Sequence, residues 1–313
     1  STATAPASSP NSAMPDLRPI FYVIGLLLCA LAALMLVPAS IDAVDGSDDW
    51  AGFVTAAAVT AFIGGALAFT SMTGRRFTLN LRQGFLLTTL SWVVVAGCAA
   101  LPFLFAGYSY ADGYFEAVSG LTTTGGTVIV GLDGMSRGIL LWRALTQGLG
   151  GIGIAVMAIL ILPFLRIGGM QLFRLESSDR SERVVPRAGQ LMGALLIGYA
   201  ALVVSCTVLF GLAGMSWFDA LCHGFATVST GGFSTHDASF GYFKQPLLHW
   251  IAILFMILGS LPFVLMIKAA RGKPLALLRD PQVVLFLAIM LAVSLLLAGW
   301  IANHIDPDMT AAD

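Results

Sequence analysis

The sequence predicts an all-α integral membrane protein built from parallel, related units: a helix, a short re-entrant helix with its loop, then another helix. An extra helix pair precedes them. Three observations carry this expectation. Hydrophobic residues fill 58% of the 313 positions and charged residues only 11%, where a soluble domain carries about 25% charge. The apolar residues come in long runs, several exceeding the roughly 18–20 that cross a hydrocarbon core as helix. Landmarks also recur at a near-constant offset along the chain.

The elements follow in order. Residues 1–13, STATAPASSPNSA, are small and polar with two prolines. They read as a disordered or appended leader, with Met14 a candidate original start and residues 1–19 cytoplasmic. The first apolar run is too long for a signal peptide and lacks an A-x-A-like exit. Length and hydropathy place helices at roughly 20–38, 52–72, 84–106, 138–165, 189–214, 246–268 and 281–302. The extra pair is assigned to 20–72, the first repeat to 82–165, a cytoplasmic loop to 166–186, the second repeat to 187–268, and the first helix of an incomplete third repeat to 281–313.

Charge orients these spans. Arg18, the group Arg75, Arg76 and Arg82, the five arginines from Arg166 to Arg187, and the group Lys268, Arg271, Lys273 and Arg279 fall on one side. The opposite loops carry Asp42, Asp45, Asp48, Asp49, Asp112, Glu116, Asp133, Asp219, Asp237, Asp306 and Asp308, against Arg137 and Lys244. The positive-inside bias therefore predicts a cytoplasmic N-terminus.

Arg82-Gln83-Gly84 opens the third span and Arg187-Ala188-Gly189 the fifth, 105 positions later. Thr124-Gly125-Gly126 returns as Thr230-Gly231-Gly232 after 106, and Leu140-Leu141 as Leu247-Leu248 after 107. Between the spans of each copy lies a moderately apolar stretch too short to cross, Tyr114–Leu121 or Phe218–Val228, with Asp112 or Asp219 near its start as suits a helix N-terminus. A half-helix returning as extended chain is tolerated at membrane depth only inside protein or along water, because each unpaired backbone group in lipid costs several kcal/mol.

The loops suit a particular chemistry. Dehydrating potassium requires a ring of oxygens, and neutral backbone carbonyls supply it without trapping the ion as a full charge would. Aiming successive carbonyls at one axis requires unusual backbone dihedrals, which glycine allows. Both Thr122-Thr123-Thr124-Gly125-Gly126 and Val228-Ser229-Thr230-Gly231-Gly232 meet that need. The short helix before each loop turns its partly negative end toward the path.

The stretch Phe115–Arg180 and FDALCHGFATVSTGGFSTHDASFGYF (Phe218–Phe243) resemble the TrkH branch of the Trk/Ktr/HKT potassium transporters. The resemblance runs from about residue 20 to the end of the chain. It implies potassium uptake through a carbonyl filter, with Thr122 to Gly126 and Val228 to Gly232 as the first two of four filter strands. It also implies the extra helix pair, a homodimer in the bacterial cytoplasmic membrane, and a cytosolic nucleotide-binding ring as regulator. Arg174, Arg180 and Arg183 are candidates for docking that ring. The family's pattern has four repeats, so the sequence is expected to be an N-terminal portion whose further repeats complete the pore.

Other features are read conservatively. Cys29, Cys98, Cys206 and Cys222 show no CxxC spacing and read as buried hydrophobes; the four histidines form no metal motif. Gly148-x-Gly150-x-x-Gly153 sits inside an apolar span and reads as close helix packing rather than a dinucleotide loop. Glu116 and Arg143 are candidates for tuning ions at the pore mouth; capping, for Glu116, and bonding to loop carbonyls, for Arg143, are the structural alternatives. His223 reads as a packed, hydrogen-bonded residue. Potassium is expected as the transported ion, with no enzyme chemistry, cofactor, transition metal or nucleic acid. The competing readings are a secondary transporter of another solute or cation, for which inverted repeats would be expected, a membrane enzyme, and a non-conducting fragment.

Overall fold

The computed structural model describes residues 16–72, 81–165, 184–262 and 275–304, with 265, 266, 269 and 272 between the last two stretches. Among the described residues every regular element is helical. Helices α1 (Arg18–Asp45) and α2 (Asp49–Ser71) occupy the stretch assigned to the extra pair. Helices α3 (Leu81–Ala99), α4 (Leu101–Phe105), α5 (Tyr110–Leu121) and α6 (Arg137–Leu165) follow. Next come α7 (Val184–Leu212), α8 (Trp217–Val228) and α9 (Pro246–Ser260), then the short α10 (Leu275–Arg279) and α11 (Pro281–His304). By length and composition the segments Arg18–Asp45, Asp49–Ser71, Arg82–Phe105, Met192–Leu212 and Pro281–Ile301 can each cross a membrane.

Three prolines explain where helix ends depart from the expected spans. Helix α1 runs seven residues past the expected stop at Pro38. Proline removes one ladder hydrogen bond there, but Met35, Pro38, Ala39 and Asp42 are all buried, so packing carries the helix to Gly46, whose left-handed φ of 74° ends it. The span expected at 84–106 is interrupted at Ala100, two residues before Pro102. Ala100 keeps helical dihedrals and accepts from the Leu104 N–H at 3.3 Å, while Pro102 has no N–H to give. Helix α9 ends at Ser260 rather than 268, because Leu261 precedes Pro262 and is extended, with ψ 150°.

Helices α1 and α2, joined by three residues, meet backbone to backbone. A Cβ on Gly25 would lie 2.6 Å from the Gly64 carbonyl oxygen, and one on Gly64 would lie 2.8 Å from that of Gly25. Ile24, Leu28 and Met35 of α1 and Phe53 and Ala56 of α2 share one core with Ala99, Phe103, Ala117, Leu121 and Trp142. The second core joins Tyr199, Val203 and Phe210 of α7 to Val228 of α8 and Leu248, Ala252 and Phe255 of α9. Leu141 and Ala144 of α6 meet Cys222 of α8 between the two.

At its far end α1 docks on α6. Asp42, read from the sequence as an outer-loop charge, is fully buried and accepts from the Gly138 N–H at 2.6 Å. Beside it, Asp45 pairs with Arg137 at 3.3 Å. A carboxylate at the first turn of a helix satisfies an orphan N–H and complements the helix dipole.

Candidate functional site

Helices α5 and α8 are each built by the same local chemistry. Ser109 and Ser216 take extended dihedrals and accept from the N–H of Asp112 and Asp219, both at 3.1 Å. This is an N-cap with an acidic residue three positions on. The first short helix therefore begins at Tyr110, four residues before the expected start, and Glu116 lies in its interior rather than at its head.

Both helices also end alike. The N–H groups of Thr123 and Thr124 return to the carbonyls of Gly120 and Ser119 at 3.0 and 2.9 Å. Those of Thr230 and Gly231 return to Thr227 and Ala226 at 3.1 and 2.8 Å. These are Schellman closures, in which the left-handed residue is ordinarily glycine. Here it is threonine: φ is 54° at Thr123 and 55° at Thr230. A β-branched residue in that region is strained by about 1–3 kcal/mol, and the strain sits at matched positions. Positive φ returns two residues later at Gly125 (77°) and Gly232 (82°).

The structural offset is therefore 107 across the short helix and its loop, and the Thr-Gly-Gly pairing at 106 is one residue out of register. Thr123 corresponds to Thr230, Thr124 to Gly231, Gly125 to Gly232 and Gly126 to Phe233. Val228 is then the counterpart of Leu121, the buried last residue of its short helix, and the partner of Thr122–Gly126 is Ser229–Phe233.

The carbonyls of Thr122, Thr123, Thr124 and Gly125, and of Ser229, Thr230, Gly231 and Gly232, accept no hydrogen bond from the described residues. Backbone acceptors in folded protein are nearly always paired with protein, water or ligand. The loops abut, because a Cβ on Gly125 would overlap the Gly231 carbonyl oxygen. Gly126 has only the Phe115 ring at 3.7 Å and Ser119 Oγ at 3.9 Å in the corresponding place.

Behind the loops lies a polar network centred on α6. The two residues expected to tune ions, Glu116 and Arg143, are paired with each other at 2.8 Å and are 0% and 1% exposed. Glu116 also accepts from Thr127 Oγ1 at 2.7 Å and from the Val128 N–H at 3.3 Å, holding the chain that leaves the first loop. Arg143 donates to the Ser234 carbonyl at 2.7 Å and lies over the Phe233 ring at 4.3 Å, holding the chain that leaves the second. Gln147 Oε1 accepts from the Phe233 N–H at 3.2 Å. His223 is packed as expected, with Nδ1 at 2.8 Å from the Asp219 carbonyl and Nε2 at 2.9 Å from Ser234 Oγ.

The glycine run of α6 packs the short helices closely. A Cβ on Gly150 would overlap the Leu121 carbonyl, one on Gly148 would lie 3.0 Å from Phe225 Cε1, and one on Gly151 would lie 2.9 Å from Ser229 Cβ. Cys98, Cys206 and Cys222 are buried and Cys29 is half-buried, all four as free thiols. Arg174, Arg180 and Arg183 lie outside the described residues.

One feature escaped the sequence reading. Asp237 Oδ1 accepts from the N–H groups of Gly131 and Leu132 at 2.9 and 3.1 Å, and the Asp237 N–H donates to Asp133 Oδ2 at 3.3 Å. His236 contacts Asp133 and stacks on Tyr242 with centroids 3.5 Å apart. The partners are more than a hundred positions apart, and short polar loops carry no periodic signal that would pair them.

A family model described as TrkH, cation transport protein, matches residues 51–302. The chain is 41% identical to the Trk system potassium uptake protein TrkI of Halomonas elongata, over 94% of this chain and 60% of that protein. It is 39% identical to TrkH of Vibrio parahaemolyticus, over 92% and 61%, and 36% identical to TrkH of Escherichia coli, over 91% and 61%. The crystal structure of the potassium transporter TrkH from Vibrio parahaemolyticus superposes with a TM-score of 0.83 at 36% identity, covering 93% of this chain and 60% of that one. The chain thus spans about three fifths of the length of these relatives.

Proposed function

The chain belongs to the TrkH family of cation transport proteins, and from that premise we propose that it forms part of a potassium permeation path, with its two glycine loops supplying carbonyls to a selectivity filter. The observation that carries this reading is the matched pair of loops. Two strained, abutting turns each present four consecutive carbonyls that the described protein leaves unpaired. A potassium ion shedding its water would find neutral oxygens there in place of its hydration shell. Each short helix directs its negative end at the loop and strengthens that field. The relatives' names, potassium uptake proteins, agree with this chemistry.

On this reading Thr122, Thr123, Thr124 and Gly125 and Ser229, Thr230, Gly231 and Gly232 are the ion-facing stretch. Gly126 and Val228 flank it. Glu116 and Arg143 act on ions through the loops they hold rather than by contact. The loops form two of the four filter strands that the resemblance implies, on parallel repeats in a bacterial cytoplasmic membrane, with the N-terminus cytoplasmic. The active form is a homodimer gated by a cytosolic nucleotide-binding ring on the basic segment containing Arg174, Arg180 and Arg183. Permeation itself involves no covalent step and no cofactor.

The test is rubidium tracer uptake into proteoliposomes, with sodium as competitor, for the full-length protein and two glycine variants. Gly125→Ala places a methyl on the Gly231 carbonyl and is expected to abolish discrimination against sodium. Gly126→Ala meets only ordinary contacts and is expected to behave as wild type. Equal selectivity in all three proteins removes these loops from the filter.

A further inference from the structure

The two loops are restrained by different groups. In the first, Ser119 of the loop's own helix donates from Oγ to the Gly126 carbonyl at 2.6 Å, clamping the end of the turn. The 107-residue offset puts Ala226 at the matching place in α8, which has no hydroxyl to do the same. The second loop also contains adjacent glycines, Gly231 and Gly232, whose peptide planes are otherwise the most free to rotate.

Gln147, on α6, occupies that gap. Its side chain is fully buried, and burial of an amide costs about 1–3 kcal/mol unless it is hydrogen-bonded. Oε1 takes the Phe233 N–H, the first backbone donor after the glycine pair. The amide lies flat on Gly231, where a Cβ would fall 2.5 Å from Nε2 and 2.7 Å from Oε1. Nε2 has no hydrogen-bond partner among the described residues, although it borders a loop whose carbonyls accept none from them. One turn earlier on the same face, Arg143 fixes the Ser234 carbonyl.

We propose that Gln147 is a positioning residue for ion selection, clamping the second filter loop from the first repeat and taking the place of the serine clamp that the second repeat lacks. This inference rests on the permeation reading above. Gln147 acts on the ion through the Gly231 peptide. By walling that peptide on one side and holding the next N–H, it fixes the spacing of the carbonyl oxygens, on which the choice between potassium and the smaller sodium ion depends.

The experiment compares rubidium and sodium tracer uptake by full-length wild type, Gln147→Leu, Gln147→Glu and the double variant Gln147→Leu with Ala226→Ser. Losing one restraining hydrogen bond is expected to lower the rubidium-to-sodium ratio about tenfold in Gln147→Leu. Gln147→Glu keeps the acceptor oxygen and is expected to fall between Gln147→Leu and wild type. The added serine is expected to recover part of the ratio. A wild-type ratio in folded Gln147→Leu overturns the proposal, as does equal loss of both fluxes. If Gln147→Leu does not fold, Gln147→Glu decides on the same ratio: a lowered value supports the clamp and a wild-type value overturns it. Absence of rubidium uptake by wild type sinks the permeation reading instead, so the two failures are distinguishable.

Discussion

Glu116 and Arg143 are both out of solvent, and their pairing is the residue-scale decision on which the site's rigidity depends. Two charges held this deep are tolerated because they pair with each other and are held further by Thr127, the Val128 N–H, the Ser234 carbonyl and the Phe233 ring. Removing one member leaves the other unpaired, at about 3–5 kcal/mol. Glu116→Leu or Arg143→Met alone is therefore expected to lower thermal stability in detergent sharply. The double variant Glu116→Leu with Arg143→Met is expected to cost less than the sum of its singles, as a double-mutant cycle would read. An arginine in an apolar span is costly, so the sequence turns Arg143 toward protein or water. It does not show which residue meets it, because the partner lies on a separate helix 27 positions back. The glycine loops were legible by composition, yet positive φ falls on Thr123 and Thr230 as well as on one glycine of each pair. Propensity argues against threonine in that region, so only the nested hydrogen bonds of the folded helix end reveal it.

At the scale of elements, the long apolar helices were readable from hydropathy, and their ends were not. The span drawn to residue 38 from hydropathy continues through Pro38, where the buried residues around it keep α1 helical to Asp45. At Pro262 the helix stops, because the residue before it is pushed out of helical dihedrals. The two short helices carry a signature that sequence reading took only in part. Asp112 and Asp219 mark the first turn as acidic, and Ser109 and Ser216 stand three residues before them as caps. Ser-x-x-Asp is the more informative pattern, because the serine fixes the first residue of the helix and hence the register of the loop after it. Ser109→Ala and Ser216→Ala are each expected to cost about 1 kcal/mol, seen as lower melting temperatures of similar size. Restoration by Ser109→Asp or Ser216→Asp would identify the effect as capping rather than packing.

Across the whole molecule, the hydrogen bonds that join the two units run between residues 86 to 106 positions apart, and no periodicity in the chain announces them. Helix α6 supplies the inner set through Arg143 and Gln147. The outer set is the clasp in which Asp237 holds Gly131 and Leu132 and Asp133 holds His236 and Asp237. The His236 contact is the main reason the Asp133 carboxyl is held below its ordinary value of 3.8. A carboxylate whose folded pKa is depressed contributes its share fully above the unfolded value, and that share is lost as pH falls through the folded one. Asp219, His236 and Asp237 face the same cluster, but only protonation of Asp133 removes the acceptor for the Asp237 N–H. Hydrogen-exchange protection of the Asp237 amide, corrected for intrinsic rate, is therefore expected to be flat from neutral pH down to about 4 and to fall below it. In Asp133→Ala it is expected to be low at every pH. Asp237→Ala is expected to expose the Gly131 and Leu132 amides in the opposite unit, whereas Asp237→Asn, which keeps an acceptor oxygen, is expected to protect them. Equal protection in Asp237→Ala and wild type would mean that the two outer loops hold their places without the clasp, leaving α6 alone to register the second loop against the first.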